Sequence, residues 1–261
     1  MKKSLKKYFL NNRFKHKFKL LKEIIKPNVR IWGNSNYNYT SSDSFFWRTD
    51  NGYTTIFRYS DIAKKYLNSD SDILLIFLDD NGKYIDEKIF KVHNSVNTFI
   101  IDSKIVPDNR FGSFFAFILP KDLLSKKTTQ ITNRCYVGYS KDNIFYSFVH
   151  GNEIAKLIKL NRKKYKHTSS VPAIREHNKH TSYYIQKDFT TFDYNEIFFF
   201  NPLKQNIFLK INGEMVNLIS NQTLKYKFGN ESSVCSIESN YFWPRPIVFS
   251  YLREYFDVHH A

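Results

Sequence analysis

The chain has 261 residues, 42% of them hydrophobic and 18% aromatic, which is enough for one large or two ordinary domains and excludes wholesale disorder. No apolar run approaches the roughly 18 residues of a membrane span, because Asn195 to Ile211 is broken by Glu196, Asn201, Pro202, Lys204 and Gln205. Two cysteines, Cys135 and Cys235, cannot make a disulfide framework or a cysteine zinc site. The formal charge of +16 is uneven: residues 1–26 carry a net +9 and residues 153–166 a net +5, so the remainder is nearly neutral. With no continuous apolar stretch of signal-peptide length near Met1, the expectation is a reduced, cytoplasmic protein.

The opening segment reads as a basic amphipathic α-helix over 1–27. Leu10, Phe14, Phe18, Leu21 and Ile25 line one helical face, Arg13, Lys15, Lys17, Lys19 and Lys22 fall largely elsewhere, and Pro27 stops the helix. Such a helix can dock on an anionic membrane surface, which would place the protein peripheral to the inner face of a membrane, or on an acidic partner. It can equally pack its apolar stripe on its own domain.

From Asn28 the period shortens, and β-branched and aromatic runs alternate with Asn, Asp, Gly and Ser, as strands and turns require. Ile73 to Leu78 leads through Asn81-Gly82 into Lys83 to Val92, and Ile207 to Ile211 leads through Asn212-Gly213 into Glu214 to Ile219. Asn-Gly between apolar runs signals a hairpin because both residues tolerate positive φ. Helix is expected only in Ser60 to Leu67 and Asn152 to Lys164. The hairpins belong to five matches in the same order. Ser44–Arg48 matches Ser182–Gln186, Thr54–Tyr59 matches Thr190–Tyr194, Cys135–Tyr139 matches Cys235–Ser239, and Ile144–His150 matches Ile247–Tyr251 and on to His259. The pattern predicts an all-β chain of two tandem antiparallel β-sandwich domains from an internal duplication. The first sandwich spans 28–152 with an insertion near 104–134, a basic helical linker spans 153–174, and the second sandwich spans 175–261.

Ser236-Ile237-Glu238-Ser239 followed by Pro246-Ile247-Val248-Phe249, with the Asn212-Gly213 hairpin upstream, resembles the end of the small β-sandwich proteins called sensory rhodopsin transducers. The resemblance covers Ile207 to Tyr251 and, less well, Ile73 to Phe148. It implies a soluble binding or signalling sandwich, with oligomerisation a further implication. The duplication, the helical leader and the Tyr241-Phe242-Trp243-Pro244 insertion have no counterpart in that pattern.

No glycine loop of G-x-G-x-x-G or G-x-x-x-x-G-K form is present, nor a G-x-S-x-G elbow or an H-E-x-x-H pair. The histidines offer a transition-metal reading, with His177 and His180 in one cluster and His259 and His260 in another as candidate ligands. On a strand His259 and His260 face opposite ways, and the competing reading makes these residues structural. His150 and His259 each follow a valine near the end of the last strand of their copy. Trp243 and Arg245 lie in a proline-stiffened aromatic loop whose indole and guanidinium suit a sugar ring or base bearing an anionic group. Lys163-Lys164-Tyr165-Lys166-His167 could touch phosphates, though nucleic acid is the less favoured partner here. The function expected is therefore non-enzymatic recognition of a glycan or other anionic ligand, with Trp243, Arg245, His150 and His259 as contacts. The rivals are a metal-dependent enzyme at the histidines and a structural subunit of a homo-oligomer or larger assembly.

Overall fold

The computed structural model describes residues 29–261 apart from 31, 35–36, 62–63, 66–67, 122–129, 132–134, 142–144, 152–153, 162–163, 168–179, 186 and 242–244. The leader helix expected over 1–27 lies outside these residues. Among the described residues no helix is long and apolar enough to cross a membrane.

The described residues begin with β1 (Val29–Arg30), β2 (Trp32–Asn34) and the long β3 (Tyr37–Arg48), then β4 (Tyr53–Ser60). Next come β5 (Ser71–Asp79), β6 (Tyr84–Lys91), β7 (Val96–Ile101) and β8 (Phe111–Pro120). After the short β9 (Gln130–Ile131) follow β10 (Cys135–Lys141), β11 (Ser147–His150), β12 (Ile154–Asn161) and β13 (Lys164–His167). The second half holds β14 (Thr181–Ile185), β15 (Tyr194–Phe200), β16 (Ile207–Ile211), β17 (Glu214–Leu218) and β18 (Thr223–Phe228). It closes with β19 (Cys235–Ser239), β20 (Ile247–Leu252) and β21 (Tyr255–His260). All pairings are antiparallel. The all-β reading is therefore correct.

The strand order is β11-β10-β4-β7 in one sheet and β13-β12-β3-β8-β5-β6 in the next. In the second half it is β21-β20-β15-β18 and β14-β19-β16-β17. The first and third of these have the same connectivity, and so do β3-β8-β5-β6 and β14-β19-β16-β17. This order corrects the sequence alignment at two points. Phe111–Pro120, read as insertion, occupies the place of Cys235–Ser239, so Cys135 and Cys235 lie on non-equivalent strands. Val137 pairs Phe57 and Val248 pairs Ile197, both couples buried beneath their own sheet. Counting on from them, His150 (opposite Tyr136) corresponds to His260 (opposite Ile247), not to His259.

The four sheets form a four-bladed, propeller-like ring, not two tandem sandwiches. The reason is visible in the strands themselves. A two-sheet sandwich buries one face per strand and alternates, whereas strands covered on both faces read as continuous apolar runs. Ile73–Leu78 and Phe114–Ile118 are buried without interruption, as are Ile197–Phe200. On one side of the sheet containing β3 and β8, Phe45 and Phe114 pack on Phe57, with ring centroids 5.1 and 5.3 Å away. On its other side Phe46 meets Phe198 at 5.5 Å and Phe115 meets Phe200 at 5.5 Å. The larger core consequently joins residues of both halves, while a second core around Ile197, Phe199, Leu209 and Ile237 belongs to the second half.

The basic linker is not helical where it is described. Ile154–Asn161 is a strand that pairs with Tyr37–Arg48, and Lys164–His167 pairs with it in turn. Ile154, Leu157 and Ile158 fit a helical period, but the open edge of β3 offers unpaired backbone groups, and that tertiary pairing decides the conformation. Of the two Asn-Gly signals, Asn212 (φ 48°) and Gly213 (φ 90°) make the tight turn between β16 and β17. Gly82 (φ 77°) sits in a longer turn held by Asp79, whose Oδ1 accepts from the Asn81 and Lys83 amides at 3.0 and 2.7 Å. That turn presses on the second half: a Cβ on Gly82 would come within 2.6 Å of the Asn221 carbonyl oxygen.

The deepest link between halves is ionic. Arg48, fully buried, donates through Nε and Nη2 to both oxygens of Asp50 at 2.9 Å. Its Nη1 donates to Glu196 Oε2 and to the Tyr251 hydroxyl, each at 2.9 Å. Tyr251 in turn donates to Glu196 Oε2 at 2.6 Å and accepts from Tyr53 at 3.0 Å. Lys225 closes the set at Asp50 Oδ2, 2.8 Å away. Two cations thus face two carboxylates, and the guanidinium carbon lies 3.8 Å from the Tyr53 ring centre. Burial pushes the Asp50 carboxyl up, but the Arg48 charge and hydrogen bonds, with those of Lys225, hold it below its usual range. Removing one partner of such a buried set strands the others in a low dielectric. Arg48→Ala should therefore destabilise the fold by about 3–5 kcal/mol in urea unfolding, and Tyr251→Phe by about 1–3 kcal/mol. A change below about 1 kcal/mol for Arg48→Ala would show that this cluster contributes little.

Candidate functional site

The sheet β11-β10-β4-β7 has two unlike faces, set by strand alternation. Phe57, Val137 and Val149 point into the core. The residues between them form the outer face, in which Thr98, Arg58, Tyr136 and His150 stand in one row across the four strands and Ile100, Ile56, Gly138 and Phe148 in the next. Arg58, Thr98, Ile100, Tyr136 and His150 are exposed, Ile100 by 54% and Tyr136 by 37%. The rings are organised. Tyr136 and His150 lie with centroids 4.3 Å apart, and the Arg58 guanidinium sits 4.4 Å from the centre of Phe148. Gly138 makes room for this: a Cβ there would fall 2.4 Å from the Phe148 ring. None of the strand residues on this face is acidic.

At the β11 edge the face meets the second half. Strand β11 runs against β21, and the rings of His150 and His260 lie 6.4 Å apart and within 13° of parallel. Arg245 is exposed beside them and donates through Nε to the Ala261 carbonyl at 3.3 Å. Burial and then the Arg245 charge push the His260 imidazole down to about 4. His259, on the opposite side of β21, has its Nδ1 3.3 Å from the Lys187 amine and 3.6 Å from the Asp257 carboxylate. Burial and Lys187 outweigh Asp257 and bring His259 down to about 4 as well. Both imidazoles are therefore neutral at physiological pH; His259 meets Lys187 through Nδ1, whereas both ring nitrogens of His260 are buried without a hydrogen-bond partner among the described residues.

Of the residues singled out from sequence, Arg245 and His150 come together here, and His260 joins them. His259 faces the other side of its strand, as strand alternation requires, and shares its surroundings with Lys187 and Asp257. Trp243 and His177 lie outside the described residues. His180 is 70% exposed on its side chain and 3.6 Å from Glu238. Among the described residues no three of His, Cys, Asp and Glu gather as a metal site needs. Trp47 is buried and donates its Nε1 hydrogen to the Leu78 carbonyl at 2.9 Å. Burial raises the Cys135 thiol far above its usual value and the Cys235 thiol to about 12, so neither is a thiolate near neutrality. Sequence reading missed Arg58, Tyr136 and Phe148. Their signal is the alternation Tyr136-Val137-Gly138 and Phe148-Val149-His150, legible once β4, β10 and β11 are known to be neighbours.

The histidines give the fold a pH signature. The unfolded imidazoles take protons near 6.5, the folded ones only near 4, so between these values the unfolded chain binds more protons. Their contribution is complete above about 6.5 and is lost as pH falls towards 4. Asp43, pushed up to about 7 by burial, works the opposite way and favours the folded state as pH falls. The comparison that isolates the histidines is the native chain against a His259→Gln/His260→Gln double variant. The native melting temperature should fall more steeply between neutral pH and pH of about 4.5, and equal slopes would contradict the assignment.

No family model matches the chain, and no curated protein matches it. One solved structure, described as an anti-sigma factor domain-containing protein, aligns over 85% of this chain and 81% of its own. That alignment has 9% sequence identity and a TM-score of 0.20, which establishes neither a common fold nor a common role. A likeness of that kind carries no argument, and the chain's own side chains carry the functional reading.

Proposed function

We propose that the protein is a non-enzymatic binding module for an anionic ligand, which it recognises where β11 meets β21. The observation that carries this is the convergence of His150, His260 and Arg245 at the junction of the two halves. A guanidinium supplies charge and forked donors, and the His260 ring, whose two nitrogens are buried without a hydrogen-bond partner among the described residues, keeps its hydrogen-bonding capacity for a ligand. The adjoining exposed face adds Arg58 and is free of carboxylates along its strands, which favours a negatively charged partner. The His260 imidazole takes a proton only near pH 4, too low to suit a general base at neutral pH, and this favours recognition over catalysis. In the same reading the basic segment 1–26 supplies a second, electrostatic contact to the ligand or to the acidic surface that bears it. We also infer that the shared strand order of the two halves reflects an internal duplication, with the recognition site built where equivalent strands meet.

Inorganic pyrophosphate is a minimal probe. Added to the full chain at low salt, it should shift the imidazole NMR resonances of both His150 and His260, with Arg245→Ala weakening the effect several-fold. Absence of any shift at millimolar pyrophosphate, or shifts unaltered by Arg245→Ala, would overturn this site.

A further inference from the structure

The outer face of the sheet β11-β10-β4-β7 is not explained by anion binding at its edge. Exposed apolar and aromatic side chains on a sheet face mark an interaction surface. This face combines them with cations in a fixed geometry. Phe148 lies across Gly138 under the Arg58 guanidinium, and Tyr136 lies against His150. The row Arg58, Tyr136, His150 continues to His260 across the β11–β21 edge. Neighbouring strands stand about 4.8 Å apart, so planar groups recur across the face at intervals set by the backbone, with a guanidinium near each end of the row in Arg58 and Arg245.

Ring stacking with flanking cations is the chemistry by which a sheet holds unpaired bases: each base offers a π-face, and each phosphate a charge. A duplex hides its bases, and a flexible polyanion without rings gains nothing from Tyr136 or Phe148. A lipid surface would reward exposed aliphatic bulk, which on this face is confined to Val96 and Ile100 on the edge strand β7, while the middle of the face is Arg58 and Tyr136. Charge complementarity selects an anion, and the rings select one that carries planar groups.

We propose that this face is a stacking platform for single-stranded nucleic acid, with bases on Tyr136, His150 and the free side of the Arg58 guanidinium and phosphates at Arg58 and Arg245. The proposal rests on the anion site at the β11–β21 edge and names its ligand class.

Fluorescence anisotropy of the full chain with a labelled oligothymidylate of about 12 nucleotides tests it. An abasic oligomer of the same phosphate count and a sulfated heparin fragment serve as competitors. The oligothymidylate should bind about tenfold more tightly than the abasic strand. Tyr136→Ala should remove most of that margin, Tyr136→Phe should retain it, and Arg58→Ala should weaken binding and lower the salt slope by about 1. Tyr184→Ala, exposed on a different sheet, should change nothing. Melting temperatures of each variant identify any that fail to fold, and Tyr136→Phe against Tyr136→Trp then reads stacking without truncation. Equal affinity for the abasic strand or heparin, or indifference to Tyr136, overturns the platform. If pyrophosphate still moves His150 and His260 in that case, only the nucleic-acid assignment fails. If it does not, the edge site fails with it.

Discussion

A single buried guanidinium organises this molecule. Arg48 comes from the end of β3 in the first half, and its partners Glu196 and Tyr251 come from β15 and β20 in the second. Such a group has no water to fall back on, so each of its donors must find an acceptor at fixed geometry. Asp50 takes two of the hydrogen bonds from its own half, and Glu196 with Tyr251 takes the rest from the other. The halves are thereby held in one register, because sliding either by a residue would leave charges unpaired in an apolar interior. The surrounding rings of Tyr53, Phe198 and Phe249 keep that interior dry and add their quadrupoles to the cation.

The same constraint decides which surfaces are free. With the sheet of β3 and β8 covered on both faces, and the sheet of β15 and β20 pressed between it and the second core, the central strands are spent on packing. The sheet β11-β10-β4-β7 keeps one face outward, and β21 carries His260 to its edge. The proposed recognition at the join of equivalent strands follows from the way the halves meet. Neither half would carry the proposed site alone, since His150 belongs to one and His260 and Arg245 to the other.

Local signals in the sequence were legible where backbone chemistry dictates them. The Asn212-Gly213 hairpin, the strand character after residue 28 and the opposite facing of His259 and His260 all follow from positive φ and a period of two. What escaped was tertiary. The run Ile73–Leu78 announces a strand buried on both faces, and reading it so would have argued against separate sandwiches. Ile154–Asn161 satisfies two periods at once, and only the open edge of β3 chooses between them. Cys135 and Cys235 look equivalent as letters yet sit on different strands of the shared order. The buried cluster is invisible in the sequence, since Arg48 and Glu196 lie 148 residues apart, and nothing local to either shows that it is paired.

Arg48 and Glu196 act as one unit joining the halves. A double-mutant cycle by urea unfolding, with Arg48→Met and Glu196→Gln singly and together, measures this directly. A coupling energy of about 2–3 kcal/mol is expected, the double variant being less destabilised than the two single ones combined. Effects that add within about 0.5 kcal/mol would contradict it.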